Sequence, residues 1–274
     1  MAKWNRAPLG VFDSGVGGLS VLRAIRGQLP EQDVIFLGDQ AHVPYGSRSL
    51  EEVQAFSEAI TRFLLEQGTR LVVVACNAAS AAALRSLRQI FPKIPFVGME
   101  PAVKPAAEQT RTGVVGVLAT PATFQGALYA SVVERFAQNV RLLQDTCPGL
   151  VQQIEAGELD APETRAILER ALGPMLEGGI DTIVLGCTHY PFVIPLIQSI
   201  VGPGVRVIDP APAVAKQTVR LLEEHHLVET SPGEMRLMTS GDVFKFRRLL
   251  PRLIGEDRPV EQVYWQGNKL VYLQ

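Results

Sequence analysis

The sequence predicts an α/β fold of two pseudo-symmetric, doubly wound lobes with mainly parallel sheets and the functional site in the cleft between them. Three observations predict it. Short, uninterrupted apolar runs alternate with helix-patterned stretches, which is how strands of a parallel sheet covered on both faces read. The alternation runs through once and then restarts. The two passes also match: Gly10 to Ser14 resembles Gly116 to Thr120, and Gly68 to Cys76 resembles Gly179 to Cys187, in the same order and at nearly the same offset. Duplicated domains follow from that match.

Taken in order, Leu9 to Phe12 reads as a strand, and Gly17 to Leu29 as a helix stopped by Pro30. Val34 to Leu37 is a second strand. Ser49 with Glu52 forms a capping box opening a helix that runs to Gln67, with Gly68 as its natural stop. Leu71 to Ala75 is a strand, an Ala/Leu-rich helix follows to about Phe91, and Ile94 to Gly98 closes the first series. The second series has strands at Val114 to Leu118, Val140 to Gln144, Thr182 to Leu185 and Val205 to Ile208, with helices over Pro121 to Ala137 and Pro162 to Glu177. A helix then runs from Asp209-Pro-Ala-Pro212 to about His225, followed by a helical piece (Asp242 to Leu253) and a strand-like one (Gln262 to Trp265). The tail is expected to return to the first lobe. That gives lobes of 1–99 plus 210–274 and of 100–209.

Composition narrows the function classes. The chain has 274 residues, 47% hydrophobic and 20% charged, an ordinary globular balance. Its net charge of −2, without a basic block, leaves no electrostatic footprint for nucleic acid or an anionic membrane surface. The amino terminus lacks the apolar stretch of a secretory signal. The longest apolar runs, such as Leu71 to Cys76, fall far short of the roughly 20 residues of a membrane helix. The 3 cysteines form no CxxC pair, which fits reduced thiols in the cytoplasm.

Right-handed crossovers bring the carboxyl ends of all strands to one rim, where ligands bind. Four segments follow strands there: Asp13 to Gly18, Gly38 to Gly46, Cys76 to Ser80 and Gly186 to Pro191. The first carries Gly15-x-Gly17 but has Ser20 where a dinucleotide fingerprint needs its last glycine, so nicotinamide binding is not expected. Its glycines make a tight turn, and its N–H groups could hold a carboxylate. Cys76 and Cys187 occupy matching places, each before polar residues and at an expected helix start, where the dipole would favour thiolate. A lone cysteine after an apolar strand is usually a small buried hydrophobe. Two in equivalent places on facing lobes instead suit a planar carbanion with one acid/base group on each face, the arrangement of a racemase. A zinc site from Cys187, His189 and Cys76 is the rival, but its spacing matches no familiar zinc signature. Cys147 lacks a strand lead-in and reads as structural.

Four motifs in this order, DSGVGGLSVL from Asp13, GD(x)₄PYG from Gly38, ACN(x)₂S from Ala75 and GCTHYP from Gly186, resemble the cofactor-independent aspartate/glutamate racemases over nearly the whole chain. The resemblance implies that glutamate is racemised without cofactor or metal, by Cys76 and Cys187 as the two bases, Cys76 serving the D form and Cys187 the L form. It implies substrate contacts from Asp13, Ser14, Tyr45, Gly46, Asn77, Ala78, Thr188 and His189, and help in proton transfer from Asp13, Asp39, Glu155 and His189. The implied setting is a cytoplasmic homodimer supplying D-glutamate for bacterial peptidoglycan, with a small-molecule substrate and no nucleic-acid or membrane partner. Two positions depart from the family pattern. Ala78 stands where a threonine is usual, a loss of about 1 kcal/mol if its hydroxyl bonds substrate, and His42 stands where arginine is more frequent. Still open are an aspartate or broad-specificity amino-acid racemase, and a non-catalytic amino-acid-binding relative.

Overall fold

The computed structural model describes residues 7–229 and 233–272. Its first half contains β1 (Leu9–Asp13), α1 (Leu19–Gln28), β2 (Val34–Gly38), α2 (Leu50–Glu66), β3 (Leu71–Val74), α3 (Asn77–Ile90) and β4 (Phe96–Gly98). The second series contains α4 (Val103–Gln109), β5 (Val114–Ala119), α5 (Pro121–Gln125), α6 (Ala127–Phe136), β6 (Arg141–Asp145), α7 (Leu150–Glu155), α8 (Pro162–Glu177), β7 (Thr182–Gly186), α9 (Ile194–Val201) and β8 (Arg206–Ile208). The remainder forms α10 (Ala211–Glu224), β9 (Met235–Thr239), α11 (Val243–Ile254), β10 (Val260–Gln262), β11 (Tyr264–Gln266) and β12 (Lys269–Val271).

Two parallel sheets result. The first runs β10-β9-β2-β1-β3-β4 and the second β6-β5-β7-β8. Within them, β2-β1-β3-β4 and β6-β5-β7-β8 are the same arrangement made twice. The register agrees as well: Gly10 pairs with Val72 in the first sheet and Gly116 with Ile183 in the second. The internal match seen in the sequence is therefore one supersecondary unit repeated. Every residue of β1, β2, β3 and β7 is buried, as strands covered on both faces must be, whereas β6 and β8 form the more exposed edges of the second sheet. Strand β9 adds to the first sheet by pairing with β2, and β10 pairs with β9. One apolar cluster is continuous between the lobes, with Val16, Leu19 and Phe36 on one side and Leu118, Ile154 and Tyr190 on the other.

Several elements differ from the sequence expectation. The helix expected over Pro121 to Ala137 breaks at Gly126, whose backbone is extended, giving α5 and α6. The space there is tight, since a Cβ on Gly126 would lie 2.6 Å from that of Ala81. The strand expected at Gln262 to Trp265 divides, with Gln262 ending β10 and Tyr264 opening an antiparallel hairpin with β12. Short α4, α7 and β9 carry too little periodicity to be read. Among the described residues, no helix is long and apolar enough to cross a membrane.

Candidate active site

Cys76 follows β3 after one residue and caps α3, and Cys187 directly follows β7. Repetition of the unit sets them at equivalent strand ends, and both sulfurs line one cavity between the lobes. Ser14, Tyr45, Gly46, Asn77, Ala78, Thr188 and His189 share that lining. Asp13, Asp39 and Glu155 stand behind the wall rather than in it.

The two cysteines are 4% and 5% exposed and have different neighbours. Cys76 Sγ lies 3.9 Å from Ser14 Oγ. Burial pushes its thiol up, and the negative charge of Asp13 pushes it further; the Ala79 N–H at the helix start opposes both without prevailing. The helix start thus favours thiolate at Cys76, as expected, but burial and Asp13 outweigh it. Asp13 is fully buried: its Oδ2 accepts from Gly15 N at 3.1 Å and Gly18 N at 2.9 Å, and its Oδ1 accepts from Thr188 Oγ1 at 3.3 Å. Burial raises the Asp13 carboxyl, while His189 and these N–H groups partly offset it. The glycine-loop amides thus hold carboxylates, though the protein's own.

Cys187 has no helix start beside it. A 3₁₀ turn over Tyr190–Val193 intervenes and α9 begins only at Ile194, which corrects the expectation of one there. Its neighbour is His189, whose Nδ1 lies 3.8 Å from Sγ while Nε2 lies 2.6 Å from Glu155 Oε1. Burial alone would lower the imidazole, but the bonds to Cys187 and Glu155 hold it well above its usual value. Burial works to raise Glu155 as well, and is overcome by His189, by Gln40 and by the Val16 N–H. His189 and Glu155 therefore stand as an imidazolium–carboxylate pair aimed at Cys187. The loop glycines make this possible: a Cβ on Gly15 would sit 1.9 Å from Glu155 Oε1, and one on Gly17 would sit 2.3 Å from His189 Nδ1.

Asp39 contacts neither thiol. Its Oδ2 accepts from Tyr45 Oη at 2.6 Å and lies 2.9 Å from His42 Nδ1; its Oδ1 accepts from Ser240 Oγ at 2.6 Å and Trp265 Nε1 at 2.7 Å. It fixes Tyr45 in the cavity wall. Asn77 is 4% exposed, and its Oδ1 and Nδ2 are buried without a hydrogen bond in the protein. A buried amide left so is costly unless a ligand completes it.

Sequence reasoning missed Pro44, Thr120 and Val151 in the lining. Thr120 could have been found, because the internal match sets it opposite Ser14. Cys147 does follow a strand, standing two residues after β6, which corrects the reading that it lacks one. It lines an adjoining depression with Thr146 and Gln152 that shares Pro44, Gly46, Thr120 and Val151 with the cavity. Among the described residues no group of three or more His, Cys, Asp and Glu is arranged to hold a metal ion.

A sequence model of the Asp/Glu/Hydantoin racemase family matches residues 19–218. The glutamate racemase of Ectopseudomonas mendocina is 51% identical over 257 residues, 93% of this chain and 98% of that one. Among solved structures, glutamate racemase isoform RacE1 from Bacillus anthracis superposes with a TM-score of 0.85 at 33% identity, covering 94% of this chain and 97% of that one. Escherichia coli glutamate racemase, solved in complex with L-glutamate and the activator UDP-MurNAc-ala, gives 0.84 at 32% identity over 96% of this chain and 100% of that one. A repeated parallel α/β unit with its cavity between two lobes, together with this likeness over almost the full length, establishes the affiliation: the chain is a racemase of the Asp/Glu/Hydantoin racemase family and, within it, belongs to the glutamate racemases.

Proposed function

We propose that the chain interconverts L- and D-glutamate by a cofactor-free, two-base exchange in which Cys76 and Cys187 work on opposite faces of the α-carbon. The observation that carries this is the pairing of two buried thiols on one cavity with unlike supports. Behind Cys76 stands a carboxyl group raised by burial, able to take the thiol proton. Behind Cys187 stands an imidazolium, which stabilises its thiolate or restores its proton. A substrate ammonium entering beside Asp13 supplies the positive charge that lowers the Cys76 thiol. One thiolate then removes the α-proton while the other sulfur delivers a proton from the far side, and the roles exchange for the opposite enantiomer. Among the residues lining the cavity there is no lysine to carry a pyridoxal imine, and no arginine. The substrate carboxylates are held by hydroxyls, by the Asn77 amide and by backbone N–H groups, in a buried site where such dipoles are strong. Supply of D-glutamate to bacterial peptidoglycan, from a cytoplasmic homodimer, completes the reading. A depletion strain is expected to require D-glutamate for growth.

The test is conversion of L-glutamate in deuterium oxide without added cofactor, beside aspartate, alanine and glutamine. D-glutamate carrying deuterium at the α-carbon is the expected product. Cys76→Ser and Cys187→Ser should each lose about 10²–10⁴-fold in rate, the scale of one acid/base group. Cys147→Ser should stay near the parent rate. Equal damage in all three would overturn the two-thiol assignment.

A further inference from the structure

Gln40 stands at the mouth of the loop after β2, and both ends of its amide are engaged. Its Nε2 donates to Glu155 Oε2 at 2.7 Å, and its Oε1 accepts from Thr239 Oγ1 at 3.1 Å. Thr239, the last residue of β9, in turn accepts at Oγ1 from Gly241 N at 3.0 Å. Gly241 packs directly on Gln40, where a Cβ would come 2.6 Å from the Gln40 Cβ. With an acceptor fixed at one end and a donor at the other, the amide has one orientation. On the far side, the second Glu155 oxygen accepts from Val16 N at 2.7 Å and lies 2.6 Å from His189 Nε2. Glu155 closes α7, a helix of 6 residues, and its terminal torsion is intrinsically soft. A donor on Oε2 fixes the carboxylate plane that presents Oε1 to His189. That donor comes from the opposite lobe.

We propose that Gln40 is a positioning residue that reaches across the cleft to aim the Glu155 carboxylate at His189, and so serves the Cys187 face of the substrate and not the Cys76 face. The assignment rests on the two-thiol reading above. Cys76 is backed by Asp13, which is held by Gly15, Gly18 and Thr188 with no bond to Gln40 and senses His189 through its charge. Loss of Gln40 should therefore be felt chiefly on one face, which a general loosening of the fold would not produce.

The two faces can be read separately with glutamate bearing chlorine on its β-carbon, supplied as each α-enantiomer. A thiolate takes the α-proton, chloride leaves the β-carbon with its bonding pair, and water hydrolyses the resulting enamine to ammonia and a keto acid. Only one face is used. Cys187→Ser and Cys76→Ser identify which enantiomer depends on which sulfur. Gln40→Met, close in shape but without either hydrogen bond, should slow kcat by about tenfold with the Cys187-dependent enantiomer while KM and the other enantiomer change by less than about twofold. Gln40→Glu keeps the bond from Thr239 but sets an oxygen against the Glu155 carboxylate, and should slow the same enantiomer at least as much. It also provides the measurement if the methionine variant does not fold. If the serine variants divide by enantiomer but both Gln40 variants slow the two enantiomers equally, or neither, the role of Gln40 is overturned. If the serine variants fail to divide, the two-thiol reading falls and the assignment of Gln40 falls with it.

Discussion

Ala78 puts a bare methyl in the cavity wall, beside an Asn77 amide that has no partner in the protein. Restoring a hydroxyl there should strengthen ground-state binding more than it alters the chemistry, because the thiols and their supports are untouched. Ala78→Thr is expected to lower KM for glutamate by about fivefold with kcat little changed, the scale of one net hydrogen bond near 1 kcal/mol. Steady-state kinetics decide it, and a raised KM would show that the wall has no room for the branch. At this scale the sequence was legible where a polar or reactive side chain sits at a strand end. Cys76, Cys187, Asp13 and His189 each follow an apolar run that names its own carboxyl end. Partnerships were not legible. Nothing in spacing joins Glu155 to His189, and the Asp39 carboxylate, expected to help move protons, is instead filled by His42, Tyr45, Ser240 and Trp265.

Among the elements, α2 is the one whose start rests most visibly on side chains. Ser49 Oγ accepts from Glu52 N at 3.2 Å while Glu52 Oε2 accepts from Ser49 N at 3.1 Å, the reciprocal box read from the sequence. Ser49→Ala should destabilise the fold by about 1 kcal/mol and leave racemisation intact, since the box lies at a helix end outside the cavity lining. Urea unfolding with a parallel activity assay checks both halves, and a loss of activity at unchanged stability would contradict the assignment. Helices with strong caps and apolar stripes, and strands buried on both faces, could be read from their periodicity. The break between α5 and α6 could not, because it is imposed from outside the helix by the approach of Ala81 to Gly126. Strand β9 likewise owes its conformation to pairing with β2, a contact remote in sequence.

Across the whole molecule, the lobes are joined at the glycine loop. Val16 N and Gln40 grip Glu155, Ser20 Oγ donates to Thr188 O at 2.9 Å, and Thr188 reaches Asp13. Two of the groups concerned give this junction a pH window. Glu155 sits below its ordinary 4.5 in the fold, so its contribution is present above that pH and is lost as pH falls through the folded value. His189 sits well above 6.5, so its contribution is complete below that pH and is lost as pH rises through the folded value. The pair therefore stabilises most between 4.5 and 6.5. Glu155→Gln should show its largest deficit in unfolding free energy in that window and a smaller one at more alkaline pH. A deficit that grows steadily with alkalinity would contradict the charge assignment.

Trp265 gives the molecule an optical property. Its indole N–H donates to the same carboxylate that holds the Tyr45 hydroxyl, and its ring meets His42 edge-on at 4.9 Å and Phe56 at 5.6 Å. Indole emission responds to the charge and mobility of such neighbours. Any ligand that draws Tyr45 toward itself must redistribute the bonds on Asp39, and so alter the surroundings of the excited indole. The sequence holds 2 tryptophans, and the other, Trp4, lies outside the described residues. With Trp4 changed to phenylalanine, fluorescence from this one ring becomes a direct spectroscopic record of the cavity filling and emptying, obtained without turnover and without a label.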